Sequence, residues 1–177
     1  MKIFICPGIH PPEFTDSFID NVGLSRDRLL VLPPHIPPYS GIAVLNFLNQ
    51  YCDRNVPLLN IAFSAGVVGA IFAASAWQYQ GGTVSALLAL DGWGVPLVGD
   101  FTIYRLSHDY FTHWSSALFG AGEESFYADP GVDHLELWRS PQTSLGWSNA
   151  RHGKIRCSAT EFILDLLQRH DLFSTNK

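Results

Sequence analysis

Ser64 sits where an apolar run gives way to a small-residue helix pattern. Leu58-Leu59-Asn60-Ile61-Ala62-Phe63 has the composition of a buried strand, and Ala65 to Gln78 carries the helix. A serine at a tight strand-to-helix turn has the layout of a nucleophile elbow, which projects Oγ from the sheet edge toward the N-terminus of the next helix. Strand and helix backbones nearly touch at such a turn, so small residues are needed two positions before and two after the serine. Ala62 and Gly66 meet that need, in the pattern A-F-S-A-G rather than G-x-S-x-G. A serine alcohol is a weak nucleophile until a base removes its proton, and a helix N-terminus favours the oxyanion that then develops. The competing reading is an N-cap, with the Ser64 hydroxyl satisfying orphan helix N–H groups.

The same stretch supports a second chemistry. Ser64-Ala65-Gly66-Val67-Val68-Gly69 nearly matches G-x-G-x-x-G, and Asp91 falls at the end of the next strand, where a ribose-binding acid would sit. Against a dinucleotide site, two core strands precede this one, whereas the fingerprint belongs to the first strand of its domain. A metal site is not expected. His108 and His113 are spaced i, i+5, which does not put two side chains on one helix face, and neither a cysteine nor a further histidine is near. The cysteines, Cys6, Cys52 and Cys157, are odd in number and far apart, which favours reduced, mostly buried thiols.

The elements that must position these residues alternate. Lys2 to Cys6 predicts a strand covered on both faces, ended by Pro7-Gly8. A helix follows from about Pro12 to Asn21 and is closed by Gly23. Arg28 to Leu32 is a second strand, and Pro33, Pro34, Pro37 and Pro38 then forbid regular structure. Ser40 is a candidate N-cap for a helix to about Asp53, with Ile42, Leu45, Leu48, Asn49 and Cys52 at helical spacing. Strand 58–63 and the Ser64 helix come next, then a buried strand over 83–90 stopped by Asp91-Gly92. Leu135 to Trp138 suggests a short fifth strand, and Ser158-Ala159-Thr160-Glu161 is a capping box opening the last helix. Alternation of this kind predicts an α/β protein: three layers, a mostly parallel five-stranded sheet of order 2-1-3-4-5, and helices on both faces. Ligands on such sheets bind outside the carboxyl ends of the strands near the switch point, where the turns at Pro7 to His10 and at Ser64 lie. The chain is expected to be a single domain over 1–177.

Residues 92–134 do not fit the alternation. Nine aromatic residues fall between Trp93 and Tyr127. A loop of that length is either functional or has structure of its own. It leaves from the carboxyl edge, so the expectation is an aromatic cap over that edge with an apolar lining; the bland alternative is a satellite hydrophobic cluster.

Element order together with A-F-S-A-G resembles the α/β-hydrolase superfamily in its small form, without a large inserted domain. Leu90 to Leu97 and His134 to Pro141 are similar to an uncharacterised hydrolase-like family of photosynthetic bacteria, a similarity that implies no activity. The superfamily resemblance implies a serine, an acid and a histidine in that chain order. Ser64 is the nucleophile candidate. The resemblance places the oxyanion hole at the backbone N–H of Ala65 and of Ile9 or His10. Asp91, at a strand's carboxyl end, can orient a histidine, although the superfamily's acid more often follows a later strand; Asp109, Asp129 and Asp133 are rivals. Among seven histidines, His108 is favoured as base, since it lies in the aromatic segment with Asp109 beside it. His152, between the last strand and the last helix, is the alternative. His134 precedes the expected fifth strand and so falls at the wrong end of the sheet. His170 suits a helix C-terminus, and His35 lies in a proline-rich loop.

Composition sets outer bounds. Hydrophobic residues make up 47% and charged residues 15% of the chain, and the formal net charge of −5 argues against nucleic-acid binding. The basic cluster Arg151, Lys154 and Arg156 is short enough for a solvated loop. No apolar run approaches the roughly 20 residues needed to span a bilayer, and no signal segment is visible, so a cytoplasmic protein is expected. The functional expectation is a serine acyl hydrolase, esterase- or thioesterase-like, acting on a small apolar acyl or aryl ester without a cofactor. The alternatives are a non-catalytic binding or scaffold protein on a hydrolase-like fold, and a dinucleotide-binding protein.

Overall fold

In the computed structural model, residues 1–150 and 153–174 are described. The elements run β1 (Lys2–Cys6), α1 (Pro12–Val22), β2 (Leu29–Val31), α2 (Gly41–Tyr51), β3 (Leu58–Phe63), α3 (Ala65–Tyr79), β4 (Val84–Leu90), β5 (Thr102–Ser107), α4 (Tyr110–Ser116), β6 (Glu124–Ala128), α5 (His134–Arg139), β7 (Leu145–Ala150), β8 (Gly153–Ser158) and α6 (Ala159–Ser174). Short 3₁₀ turns at Arg26–Arg28 and Ala117–Phe119 complete the set. All eight strands form one mixed sheet of order β2-β1-β3-β4-β5-β6-β7-β8. Strands β2 to β6 in that row are parallel; β7 and β8 add an antiparallel hairpin at the β6 edge. The chain is therefore α/β, and the order 2-1-3-4 at one end of the sheet is the one the alternation predicts.

Two expectations are corrected. Leu135–Trp138 is no strand but the body of helix α5. Asp133 caps that helix, its carboxylate accepting from the Leu135 N–H at 2.9 Å, so the Leu-Glu-Leu alternation was outweighed by a cap and a tertiary contact. Residues 92–134 are not simply a cap, since they contain β5, α4 and β6. Their aromatics divide accordingly. Tyr104, Phe126 and Tyr127 are buried strand residues, whereas Trp93, Tyr110, Phe111 and Trp114 are exposed. The basic Tyr-Arg pair in β5 and the Glu-Ser start of β6 had hidden both strands behind mixed polarity.

The sheet carries a core on each face. One packs Ile3, Ile5, Leu59, Ile61, Phe63, Leu88 and Leu90 against α1, α5 and α6. The other packs Phe4, Cys6, Ala62, Leu87 and Ala89 against α2 and α3. The β3–α3 junction is the tightest point. A Cβ on Gly66 would lie 2.2 Å from the Cys6 carbonyl oxygen and 2.5 Å from that of Pro7. A Cβ on Gly69 would lie 2.0 Å from the Pro38 carbonyl oxygen. Helix α3 can thus lie directly against the ends of β1 and the β2–α2 loop, which fixes its N-terminus at the carboxyl edge of the sheet. Among the described residues no helix is long and apolar enough to cross a membrane.

Candidate active site

Register brings the chemistry-bearing residues to one edge. Ala62 pairs with Cys6 and Ala89, Phe63 with Leu90, Leu90 with Leu106, and Ser107 with Tyr127. Ser64, Asp91 and His108 each follow the last residue of their strands, β3, β4 and β5. The ladder continues one step beyond the strands, with Ser64 N–H donating to the Leu90 carbonyl at 2.9 Å and Asp91 N–H to that of Leu106 at 2.8 Å.

Ser64 and Asp91 are the two non-glycine residues with positive φ among those described, at 53° and 51°. Backbone held in such a sparsely populated region is costly and concentrates at functional sites. Ser64 stands at the N-terminus of α3, yet its side chain makes no capping hydrogen bond. The hydroxyl instead lies 3.0 Å from Nε2 of His134. Nδ1 of the same ring is 2.8 Å from Oδ2 of Asp91. A carboxylate only accepts, so the His134 proton sits on Nδ1 and its Nε2 is left to accept from the serine.

His134 reaches this position from the first turn of α5, six residues past the end of β6. The loop between them is tied down by Val132 N–H donating to the His108 carbonyl at 2.9 Å. On the far side, α5 buries Leu137 and Trp138. His134 and Trp138 are i, i+4 neighbours on one face of the helix, and both rest on Phe63. The Trp138 ring stacks on Phe63 at 5.0 Å and on Phe18 at 3.8 Å, and His134 stacks on Phe63 at 4.7 Å. The residue before the serine therefore supports the ring that faces it.

His108 does not meet Ser64. Its Nδ1 donates to Asp91 Oδ2 at 2.9 Å, the oxygen that also receives His134, and its backbone N–H donates to Asp91 Oδ1 at 2.9 Å. The hydrogen bond to Asp91 holds the His108 imidazole above its ordinary pKa, against a smaller opposing effect of burial. Asp91 is buried and accepts from all three groups. The rival carboxylates are engaged elsewhere: Asp109 caps α4 through the Thr112 N–H, Asp129 accepts from the Trp147 indole at 2.8 Å, and Asp133 caps α5.

Other candidates divide as follows. His152 lies outside the described residues. His170 hydrogen-bonds with the Tyr104 hydroxyl at 3.1 Å, and His35 is exposed. The His10 side chain makes no hydrogen bond to Ser64: its Nδ1 donates to the Pro11 carbonyl at 2.9 Å, and its ring packs among Phe14, Phe63 and Trp138. Burial holds His10 below its usual pKa. The backbone of its loop stays beside the serine, since a Cβ on Gly8 would lie 3.0 Å from Ser64 Cβ. Ala65 opens α3, and the first N–H groups of a helix have no intrahelical acceptor.

The same loop walls a cavity of about 390 Å³, bordered by Gly8, Ile9, Ile19, Leu32, Ile36 and Pro38. That volume is in the range of small-molecule pockets, about 300–1,000 Å³. The lining is mainly proline and aliphatic, with Thr15, Asp16 and Arg26 adding polar groups, and it takes nothing from the aromatic set of residues 92–127. Gly66 and Gly69 face protein carbonyls, so neither opens a cradle for phosphate. His108 and His113 are not paired; the histidine that joins His108 is His134, with Asp91 between them. His134 was missed because a strand was expected after it. The signal that could have found it is Asp133-x-x-Glu136, an N-terminal capping pattern that starts a helix at His134.

Compared with protein-family models and with curated proteins, the chain matches none.

Proposed function

We propose that the protein is a serine acyl hydrolase with Ser64 as nucleophile, His134 as general base and Asp91 as the carboxylate that orients it. The carrying observation is the 3.0 Å contact between Ser64 Oγ and His134 Nε2, on a serine whose hydroxyl caps no helix. The chain order Ser64, Asp91, His134 is also the order that the resemblance to α/β-hydrolases implies.

The chemistry follows from the proton positions. Ser64 Oγ attacks an ester or thioester carbonyl carbon while its proton passes to His134 Nε2. Asp91 stabilises the resulting imidazolium through Nδ1. The tetrahedral oxyanion is stabilised by the N–H of Ala65 at the start of α3 and by the Ile9–His10 backbone beside Gly8. Collapse expels the alcohol or thiol, which takes the proton from His134. Water then attacks the acyl carbon and gives a proton to His134, and as the bond to Ser64 Oγ breaks that proton passes to Oγ, releasing the acid and restoring Ser64. The cavity walled by the Pro7–His10 loop, mainly aliphatic with Asp16 and Arg26 among its lining residues, suits a small aliphatic or aryl group of the substrate, and no cofactor is required.

A fluorophosphonate probe tests the reading. Wild-type protein should label with one adduct per chain, mapped to Ser64, and Ser64→Ala should not label. A folded wild type that fails to label, or equal labelling of Ser64→Ala, would overturn it.

A further inference from the structure

The serine mechanism uses one imidazole, and the site holds two. His108 and His134 both direct Nδ1 at the same oxygen of Asp91, at 2.9 and 2.8 Å. The three donor atoms lie within 4.8 Å of one another. We propose that Asp91, His108 and His134 form a binding site for a zinc ion, and that zinc occupying it blocks Ser64. Binding itself depends only on the three ligands. The block rests on the hydrolase reading above.

The donor set suits the ion. Two imidazoles and one carboxylate, with a fourth position left to water, is a ligand combination zinc takes in tetrahedral sites. Bonds of about 2.0–2.2 Å in that geometry put ligand atoms about 3.3 Å apart. The imidazole–carboxylate spacings here are a few tenths of an ångström shorter, so a small opening of the cluster admits the ion. Hard cations such as magnesium prefer all-oxygen surroundings and are disfavoured.

The surroundings match too. Zinc-bound histidines commonly have an oxygen acceptor on the distal ring nitrogen, which fixes the ring and its tautomer. For His134 that oxygen is Ser64 Oγ at 3.0 Å. For His108, Asp109 Oδ2 lies 3.7 Å from Nε2, beyond hydrogen-bond distance but within an ion-pair contact. Asp91 Oδ1 is held by the His108 backbone N–H, which leaves Oδ2 aimed between the two rings. The rings are 24% and 40% exposed whereas the carboxylate is 1% exposed, so an ion has an approach from solvent on the imidazole side.

Occupation has a chemical consequence at Ser64. When zinc takes the Nδ1 lone pair of neutral His134, the single ring proton resides on Nε2. That nitrogen then donates to Ser64 Oγ and cannot accept its proton. Zinc also takes up the Asp91 charge that would have stabilised an imidazolium. The nucleophile stays in place but loses its base.

The test is calorimetric titration of untagged, metal-stripped protein with zinc chloride, alongside magnesium chloride. One zinc per chain should bind, magnesium should not, and Ser64→Ala should still bind one zinc, more weakly than wild type because the oxygen on the distal nitrogen of His134 is lost. His108→Gln and, independently, His134→Gln should weaken binding by at least about tenfold, with thermal melts confirming that each variant is folded. Absence of zinc binding, or unchanged binding in both histidine variants, overturns the site. In a second arm, zinc should suppress fluorophosphonate labelling of wild type, and a chelator should restore it. Zinc binding with undiminished labelling overturns the block. Protein that binds zinc but never labels, even when metal-free, refutes the hydrolase reading and leaves the metal site standing.

Discussion

Ser64 Oγ and His134 Nε2 lie 3.0 Å apart although 70 residues separate them in the chain. Helices α3 and α4 and the parallel strands β4, β5 and β6 lie between the two, and the parallel order returns the chain to the same edge of the sheet; the two histidines around Asp91 are not equivalent there. His134 touches the serine and His108 does not. His134→Gln should therefore reduce labelling rate and ester turnover by about 10²–10⁴-fold, the contribution of a positioned general base. His108→Gln removes one hydrogen bond to Asp91. Hydrogen bonds to a charged group contribute about 1.5–3 kcal/mol, which corresponds to a loss of roughly 10- to 150-fold at most. Parallel kinetics on p-nitrophenyl acyl esters distinguish the two, and a larger loss in His108→Gln would assign the base to the wrong ring.

Asp91 sets the tautomer of His134. Its carboxylate accepts from both imidazoles and from the His108 N–H, and it is buried. Asp91→Asn keeps the shape but offers an N–H where Nδ1 of one ring needs an acceptor. Turnover should fall by about 10⁴-fold, mainly in kcat, as expected when the wrong nitrogen carries the proton. Steady-state kinetics on the folded variant provide the check: an unchanged kcat with a raised KM would mean that Asp91 acts in binding instead.

The small-residue requirement around Ser64 is a packing claim with its own test. A Cβ at Gly66 would meet two backbone carbonyls, and backbone cannot swing aside as a side chain can. Gly66→Ala should destabilise by about 1–3 kcal/mol or more, the cost of overpacking. For a domain of this size that corresponds to roughly 2–4 °C in Tm per kcal/mol. Gly23→Ala is the matched comparison, since Gly23 has φ +77° and nothing within 4 Å of its Cβ position. It should cost only the left-handed strain of about 1–2 kcal/mol. Equal melting temperatures for the two variants would mean that α3 can retreat from β1.

Helix and strand identities near Ser64 were legible because there local pattern and tertiary role agree. The 58–63 run is buried on both faces, Ser40 caps α2 through the Ala43 N–H, and Ser158 and Glu161 form the capping box of α6. Legibility failed where a short element takes its stability from a single contact. Helix α5 has six residues and depends on Trp138 stacking against Phe18 and Phe63, partners that lie 75 to 120 positions away in the chain. Its Leu-Glu-Leu alternation pointed to a strand, and with it His134 was placed at the wrong edge. Strands β5 and β6 were hidden for a related reason. Arg105 is buried in β5 and hydrogen-bonds to the carbonyls of Ala121 and His113, and Glu124 is buried at the start of β6 against Arg169 of α6. Charged residues satisfied by distant partners look, in one dimension, like loop.

His113 offers a pH test of how the α4 region packs on the sheet. Burial, with the Arg105 and Lys154 charges adding to it, lowers its pKa to about 4 from the ordinary 6.5. The ring lies against Tyr127 and Tyr110, Asn149 approaches its Nε2, and the Arg105 guanidinium donates to the His113 carbonyl. Between pH 6.5 and 4 the unfolded chain binds a proton at this position that the folded chain refuses. Stability therefore rises with pH across that window. The contribution is present in full above pH 6.5 and is lost progressively as pH falls toward 4. His113→Asn removes the titrating group, so its Tm should fall less steeply than that of wild type between those limits, whatever the variant's absolute stability. Parallel slopes for the two proteins over this window would show that the imidazole is not held neutral beside Arg105 and Lys154.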